Sequence, residues 1–341
     1  MDAIETKERL GRSLGFFSTF AIGTGTMIGA GIFILPGIAF TNAGAGAILS
    51  FLIGGIISIA TAVSMAELAT GMPKAGGSYY YISRTMGAAF GAIIGLGSWF
   101  ALIFKGSFAL IGLAEYFQVF YPSSLYLVAA LSGFVLLIIN YRGAKSSGSL
   151  QNISIILLLI ILAIFLAKVF LFVEPLNFNS QTPDSPTSYG PVSIITTTGI
   201  IFISYLVLAE LAAISEEVKN PSKNLPRAFI ASAVVVTIFY VLIMMAVVGV
   251  SSIYAGAATI TPLADIANLI YGEIGSTLIV FAALLATLST ANGAILSSSR
   301  FPFAMSRDAL MPQWFVQIHK KYETPYNSIL VTGIIMILLL F

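Results

Sequence analysis

The chain has 341 residues, of which 58% are hydrophobic and 9% are charged, and its formal net charge is +2. A soluble globular domain carries roughly 25% charged residues, so this composition excludes an ordinary soluble protein and indicates a polytopic membrane protein. The sequence contains no cysteine, which excludes disulfides, thiol catalysis and thiolate metal sites.

Apolar runs recur along the whole chain at intervals that fit repeated crossings of a lipid bilayer. A transmembrane helix needs about 20 apolar residues to cross roughly 30 Å of hydrocarbon. Runs of this kind lie at roughly 15–39, 44–66, 88–113, 124–140, 150–172, 192–214, 228–250, 275–298 and 327–341. The sequence therefore predicts about eight complete spans and a ninth that has begun. No small-residue cleavage site follows the first run, which is predicted to be a retained helix rather than a signal peptide.

The basic residues predict the orientation of these spans, because Lys and Arg concentrate in cytoplasmic loops. With the amino terminus inside, all of the 16 basic residues except Lys105 and Lys168 fall in the terminal tail or the inner loops. The opposite loops contain acidic residues and no Lys or Arg: Glu115, Glu174, Asp184, Asp265 and Glu273. We therefore predict a multi-pass plasma (inner) membrane protein with a cytoplasmic tail at residues 1–14. Since this topology explains the positive charge, no nucleic acid partner is expected.

The first span contains GTGTMIGAGIF, residues 23–33, in which four glycines interrupt an apolar helix near its middle. An unpaired amide or carbonyl in hydrocarbon costs several kcal/mol, so broken backbone survives there only against protein, water or a ligand. Two interpretations are open. The break can form a substrate site, as in secondary transporters. Alternatively, small residues such as Gly25 and Gly29, at GxxxG spacing, can simply allow two helices to pack closely.

Three further segments carry turn residues or a marked charge pattern. The second span leads into SMAELATGMPKAGGSYYYISRTMG at 64–87, where Pro73 and Gly76–Gly77 predict a turn. The sixth span ends in ISEEVKNPSKNLPRAF at 214–229, where Pro221 and Pro226 end one helix and start another. The eighth leads into SSSRFPFAMSRDALMPQWF at 297–315, an amphipathic stretch that we expect to lie in the membrane interface.

Together these segments resemble the amino acid–polyamine–organocation (APC) superfamily of transporters. The glycine-broken first helix, the MAELATGMPKAGGSYYY loop, the EEVKNPSKNLPRA turn and SSRFPFAMSRDALMP followed by ETPYNS occur in the family's order over almost the whole chain. The resemblance implies an all-α polytopic membrane protein, an amino acid permease with the 5+5 inverted-repeat transporter fold and broken helices 1 and 6. It places the first repeat at about 15–172 and the second at about 192–341. The second repeat is expected to be incomplete, because the sequence ends at Phe341 within an apolar run.

The resemblance also implies a secondary active transporter that moves amino acids by alternating access, through symport or exchange. The substrate carboxylate would meet backbone amides around Gly29, Ala30 and Gly31 at the start of a half-helix, where the helix dipole favours an anion. Carbonyls near Met27 would take the ammonium group. Many family members have serine where this chain has Ala30, so the backbone amides are expected to serve alone.

Helix 6 would supply the opposite wall through GIIFISYLVLAELAAISEE, residues 199–217. The predicted substrate-binding residues are Gly25, Thr26, Met27, Gly29, Ala30 and Gly31 in helix 1, with Phe202, Ile203, Ser204, Tyr205 and Leu206 in helix 6. Family members usually have a glycine and an aromatic residue where Val207 and Leu208 stand, which leaves the unwinding of helix 6 open. Phe202 and Tyr205 have a second interpretation, as ordinary packing residues or interfacial anchors.

Ionisable residues within spans are functional hypotheses by default. Glu210 shares a helix face with Leu206 and Ala213. In one interpretation Glu210 faces the substrate site, where it carries a coupling proton or binds a cationic side chain. In the other it is solvated in the inner vestibule. Lys105 must find a carboxylate, reach water or lose its proton, so a gating or coupling role competes with snorkelling to the outer surface. Snorkelling is the interpretation for Lys168.

The coupling ion is left open between H⁺ and Na⁺. Sodium-coupled relatives use carbonyls of helix 1 with hydroxyls of helix 8, and Ser289 and Thr290 are available for that role. Such hydroxyls more often bond their own backbone. Some proton-coupled relatives keep a lysine in helix 5, where this chain reads ISIILLLIILAIF without one.

The expected partner is an amino acid substrate, small or medium in size and neutral, bound without a cofactor or metal. The closest alternative is a cationic amino acid or polyamine carrier in which Glu210 meets the positive charge. A channel or a structural membrane protein would share the spans but would not need a broken helix facing a site. A membrane enzyme is not expected, because the only histidine, His319, lies in a basic loop and forms neither an HExxH pair nor a Ser–His site.

Overall fold

The computed structural model describes residues 10–178, 190–205, 208–250 and 262–341. The described chain is helical, apart from an isolated bridge between Leu14 and Val218. The α-helices are α1 Phe16–Ile28, α2 Gly31–Ala43, α3 Ala47–Gly71, α4 Ser78–Met86, α5 Ala88–Gln118, α6 Leu125–Tyr141, α7 Ala144–Val169, α8 Pro191–Ile201, α9 Leu208–Ala213, α10 Pro221–Gly249, α11 Pro262–Tyr271, α12 Glu273–Ser298, α13 Arg300–Arg307 and α14 Tyr326–Leu338. Short 3₁₀ helices lie at Gly44–Gly46, Phe170–Phe172, Pro175–Phe178, Phe202–Tyr205, Ser215–Glu217 and Gln313–Val316.

Every apolar run predicted from the sequence contains a helix. Within the described residues, 6 helical segments are long and apolar enough to cross a membrane. The first of these, Phe16–Gly71, is 56 residues long and contains α1, α2 and α3, about twice the length that one crossing requires. The helices α6 and α14 are apolar but shorter. The predicted all-α polytopic membrane fold is confirmed, and the inverted-repeat layout stays a prediction.

The first span is broken at the predicted position. α1 ends at Ile28 and α2 begins at Gly31. Between them Gly29 has a φ of +43°, which L side chains rarely adopt and glycine adopts readily. The Gly29 amide donates to the Gly25 carbonyl at 3.2 Å and closes the end of α1. The change of chain direction is therefore a local consequence of glycine at this position.

The sixth span is interrupted as well, although the chain has Val207 and Leu208 where the resemblance implies a glycine and an aromatic residue. α8 ends at Ile201, and a 3₁₀ helix follows at Phe202–Tyr205 before α9 begins at Leu208. The Ser204 hydroxyl donates to the Ile201 carbonyl at 2.7 Å, which gives this carbonyl a polar partner where the α-helix stops. Leu206, predicted to bind substrate, lies outside the described residues, as do residues 1–9 of the predicted cytoplasmic tail.

α1 lies at the centre of the bundle, where it packs against α7, α10 and α12. Its residues from Ala21 to Ile28 are all buried. A Cβ added to Gly25 would overlap the side chains of Ser289 and Gln151. Gly25 therefore serves close helix packing, whereas Gly29 serves the break, and a substrate site at the break stays a prediction.

Part of the segment 297–315, which the sequence predicts to lie in the membrane interface, packs inside the protein. Residues Arg300–Ser306 of α13 are buried inside the protein, and Arg300 has no exposed surface. Its guanidinium forms two hydrogen bonds with the Glu217 carboxylate, at 2.6 and 3.0 Å. The polar face of the amphipathic pattern therefore meets carboxylates within the protein, and the interfacial position of the rest of the segment stays a prediction.

The neighbouring Glu216 joins four parts of the chain at the same end of the bundle. Its carboxylate accepts two hydrogen bonds from Arg307, at 2.7 and 2.9 Å. It also accepts from the backbone amides of Leu10 and Ala75, at 3.2 and 3.0 Å. Glu216 therefore ties the segment before α1 and the turn after α3 to α13.

These contacts make the stability of the protein dependent on pH. Burial acts to raise the pKa of Glu216, but the hydrogen bonds and charge of Arg307, with the two backbone amides, hold the pKa below its usual value. The folded state thus binds this proton less tightly than the unfolded state, so the carboxylate stabilises the fold above its unfolded pKa and this contribution is lost as pH falls.

We predict that the melting temperature of the detergent-purified protein falls as the pH drops below about 5, and that Glu216→Gln flattens the fall. Glu67→Gln is the matched control, because Glu67 is exposed on α3. Equal pH dependence in wild type and Glu216→Gln would contradict the assignment of the acid-side loss of stability to Glu216.

Candidate functional site

A cavity of about 670 Å³ lies beside the break between α1 and α2, within the size range of small-molecule sites. Its walls come from the break, α5, the 3₁₀ helix Phe202–Tyr205 and α9. The predicted residues that line it are Thr26, Met27, Gly29, Ala30, Gly31, Lys105, Ile203, Ser204, Glu210 and Thr290. Most of the remaining wall is apolar, including Ile34, Leu35, Leu102, Phe108 and Phe301.

The first turn of α2 faces this cavity. Ala30 is its N-cap residue and contributes no side-chain hydrogen bond. The first amides of a helix have no acceptor within the helix, and they carry the positive end of its dipole. The start of α2 can therefore receive a carboxylate without a serine hydroxyl.

The end of α1 presents the opposite charge. The hydroxyl of Tyr240, from α10, donates to the carbonyls of Met27 and Ile28 at 3.4 and 3.3 Å. The sequence did not identify Tyr240, because nothing about a tyrosine in an apolar helix indicates which carbonyl its hydroxyl will contact. Its hydroxyl positions the end of α1 from outside the cavity.

We predict that Tyr240→Phe lowers the free energy of unfolding by about 1 kcal/mol and weakens substrate binding, because a buried carbonyl loses its donor. Chemical denaturation and ligand titration measure the two effects. Tyr126→Phe is the control, because Tyr126 is 51% exposed on α6. Equal losses in the two variants would contradict the role of the Tyr240 hydroxyl.

Lys105 and Glu210 form an ion pair at the cavity wall. The Lys105 Nζ lies 2.6 Å from Glu210 Oε1 and also donates to the Thr26 carbonyl at 3.2 Å. Glu210 is 1% exposed, and so it is not the solvated residue that one interpretation predicted. Lys105 does not snorkel outward, because a buried carboxylate and a helix-end carbonyl provide the partners that a lysine at this depth requires.

Four of the predicted residues that the structure describes lie outside the cavity wall: Gly25, Phe202, Tyr205 and Ser289. Tyr205 is 1% exposed and its hydroxyl donates to the Phe51 carbonyl at 3.2 Å, while Phe202 packs beside its ring. Gly25 faces Ser289 and Gln151 in the helix interface. The packing interpretation fits these residues, because the 3₁₀ turn directs the two rings toward α3 and the core.

The hydroxyls of Ser289 and Thr290, on α12, already have protein partners. Thr290 donates to its own backbone at Ala286, 3.0 Å away, and lies 3.5 Å from the Gly25 carbonyl. Ser289 accepts a hydrogen bond from the Gln151 amide. Among the described residues there is no cluster of three or more His, Cys, Asp or Glu that could hold a metal ion. A role of Ser289 and Thr290 in Na⁺ binding stays a prediction.

An all-α membrane bundle with a cavity where two spans are interrupted has the architecture of a secondary transporter. Comparison with known families agrees with this class. The family model described as "Amino acid permease" matches residues 14–341. The chain therefore belongs to the amino acid permease family, whose members are transporters.

Several known proteins are similar to this chain over nearly its whole length. The methylthioribose transporter of Bacillus subtilis is 28% identical, over 98% of this chain and 76% of the relative. The branched-chain amino acid permease BcaP of Lactococcus lactis is 29% identical, over 94% and 73%. The serine/threonine exchanger SteT of Bacillus subtilis is 28% identical, over 94% and 74%.

Two solved structures share the fold. One is a substrate-bound, outward-open Na⁺-coupled sialic acid symporter, with a TM-score of 0.71 and 14% identity, covering 98% of this chain and 75% of the symporter. The other is MhsT in complex with L-phenylalanine, with a TM-score of 0.67 and 18% identity, covering 97% and 79%. The chain is a secondary amino acid transporter with this transporter fold.

Proposed function

We propose that the protein carries neutral amino acids across the plasma membrane, and that it binds the amino acid core at the break between α1 and α2. The amides at the start of α2 would hold the carboxylate, and the apolar wall of the cavity would take the side chain. We place the tail at residues 1–14 in the cytoplasm and the transmembrane domain at 15–341, with repeats at about 15–172 and 192–341. Coupling would be to H⁺ or Na⁺, or transport would proceed by exchange.

The observation that carries this proposal is the pairing of Glu210. This carboxylate is the one acidic side chain among the described residues lining the cavity. It already has Lys105 at 2.6 Å, so it does not present a free negative charge to a cationic substrate. Permeases for branched-chain amino acids and an exchanger for serine and threonine among the relatives support a neutral substrate.

A thermal-shift screen followed by transport assays tests the proposal. A ligand that binds only the folded state raises the melting temperature, so we expect shifts with neutral L-amino acids and none with their D-enantiomers. Proteoliposomes preloaded with unlabelled substrate should then accumulate labelled substrate by counterflow, which a carrier supports and a channel does not. Shifts restricted to polyamines and cationic amino acids would contradict the neutral assignment.

A further inference from the structure

The ion pair at the cavity wall is part of a built cation site. The Thr26 carbonyl is near the end of α1, where carbonyls lack helical partners and the helix dipole is negative. The Glu210 carboxylate approaches the same point from α9. Both accept from the Lys105 ammonium, at 3.2 and 2.6 Å. A helix end and a carboxylate therefore converge on one positive charge.

The site has acceptor capacity beyond what Lys105 uses. Glu210 Oε2 is buried and has no hydrogen-bond partner among the described residues. The Lys105 side chain is 29% exposed, whereas that of Glu210 is 2% exposed. Because both side chains line the cavity, a ligand in the cavity can reach the ammonium, and any cation that enters must compete with it.

We propose that Lys105 determines the charge selectivity of the transporter. Its ammonium fills the cation site formed by the Thr26 carbonyl and the Glu210 carboxylate, and thereby rejects amino acids with cationic side chains. This inference rests on the proposed function and names the residue responsible for the neutral preference.

The physical basis is competition between a tethered and a free cation. Lys105 is held on α5 beside the site, so its effective concentration there exceeds that of a dissolved amino acid. A second positive charge entering the cavity would meet the lysine as a like charge, without a free carboxylate to compensate it. Neutral side chains avoid this repulsion and contact only the apolar wall.

Lys105→Met tests the inference by removing the charge while keeping an unbranched side chain. The freed Glu210 carboxylate should then pair with arginine, lysine or ornithine, whose binding should tighten by about tenfold or more. The double variant Lys105→Met/Glu210→Gln should show no such gain, because it removes both charges. Binding is measured by thermal shift and by labelled-ligand titration of the full chain.

Glu210→Gln tests the same site from the other side. It leaves the Lys105 ammonium without its carboxylate. Glutamate or aspartate should therefore bind to this variant at least about tenfold more tightly than to the wild type. This variant keeps the inference testable if Lys105→Met fails to fold, since an unpaired buried carboxylate is strongly destabilising.

Lys168→Met is the matched control. Lys168 lies on α7, where its Nζ donates to the Ile270 carbonyl at 3.2 Å and lies 4.2 Å from the centre of the Tyr271 ring. It is not among the residues that line the cavity. Replacing this second intramembrane lysine should leave the selectivity among neutral, cationic and acidic amino acids unchanged.

The outcomes separate this inference from the proposed function. Folded Lys105→Met without a gain for cationic amino acids, or Glu210→Gln without a gain for acidic ones, would overturn the role of Lys105. Either result leaves wild-type binding of neutral amino acids intact. A wild-type protein that binds no neutral amino acid would instead overturn the proposed function, while the change in charge preference between variants still decides the role of Lys105.

Discussion

Replacing Gly31 by valine is expected to abolish substrate binding while the protein stays folded and inserted. A Cβ at Gly31 would lie 3.0 Å from the Tyr240 hydroxyl, 3.2 Å from Leu35 and 3.5 Å from Ser204. The two further methyl groups of valine would crowd the cavity wall beside the first amides of α2, which Gly31, Leu35 and Ser204 line. Hydrogen bonds to a charged group contribute about 1.5–3 kcal/mol each, so losing two of them predicts at least about 100-fold weaker binding.

Gly97→Val provides the matched control for this substitution. Gly97 lies within α5, is exposed, and has no heavy atom within 4 Å of an added Cβ. Both variants introduce the same side chain into a membrane helix, but only one places it at the break. Equilibrium binding should show wild-type affinity for Gly97→Val and loss for Gly31→Val. Wild-type affinity in Gly31→Val would contradict the assignment of the first amides of α2 to the substrate site.

The features that the sequence predicted well are those that depend on local chemistry. The break at Gly29 could be predicted because a positive φ is a property of the residue itself. The spans could be predicted because a helix in lipid needs a continuous apolar run. The resemblance to transporters rested on several such segments in order. None of these inferences required knowledge of which helices touch.

The features that the sequence did not predict depend on contacts between distant segments. Lys105 and Glu210 are 105 positions apart, and the sequence alone left their partners open. Tyr205 faces α3 rather than the cavity, because its direction depends on the 3₁₀ turn that replaces an α-helix there. For α13, a polar face that meets headgroups and one that meets buried carboxylates have the same pattern in the sequence.

Replacing Arg300 in α13 is expected to cause a large loss of stability, because this arginine is buried. Its guanidinium has no exposed surface. It binds both oxygens of Glu217 and also donates to the Leu296 carbonyl and the Ser299 hydroxyl, each at 2.7 Å. Arg300→Met would leave Glu217 as an unpaired carboxylate in the protein interior. Removing one partner of a buried ion pair costs about 3–5 kcal/mol, so we expect this variant to be among the least stable.

Two comparisons in a denaturation series isolate the ion pair as the cause. Arg300→Met/Glu217→Gln should regain part of the lost stability, because no unpaired charge is left in the interior. Arg84→Met should cost at most about 1 kcal/mol, because Arg84, which pairs with Asp308 at 2.7 Å, is 50% exposed. If Arg84→Met and Arg300→Met lower the free energy of unfolding equally, burial does not set the strength of these pairs. If the double variant is no more stable than Arg300→Met, the cost lies in lost packing around the arginine rather than in the charge of Glu217.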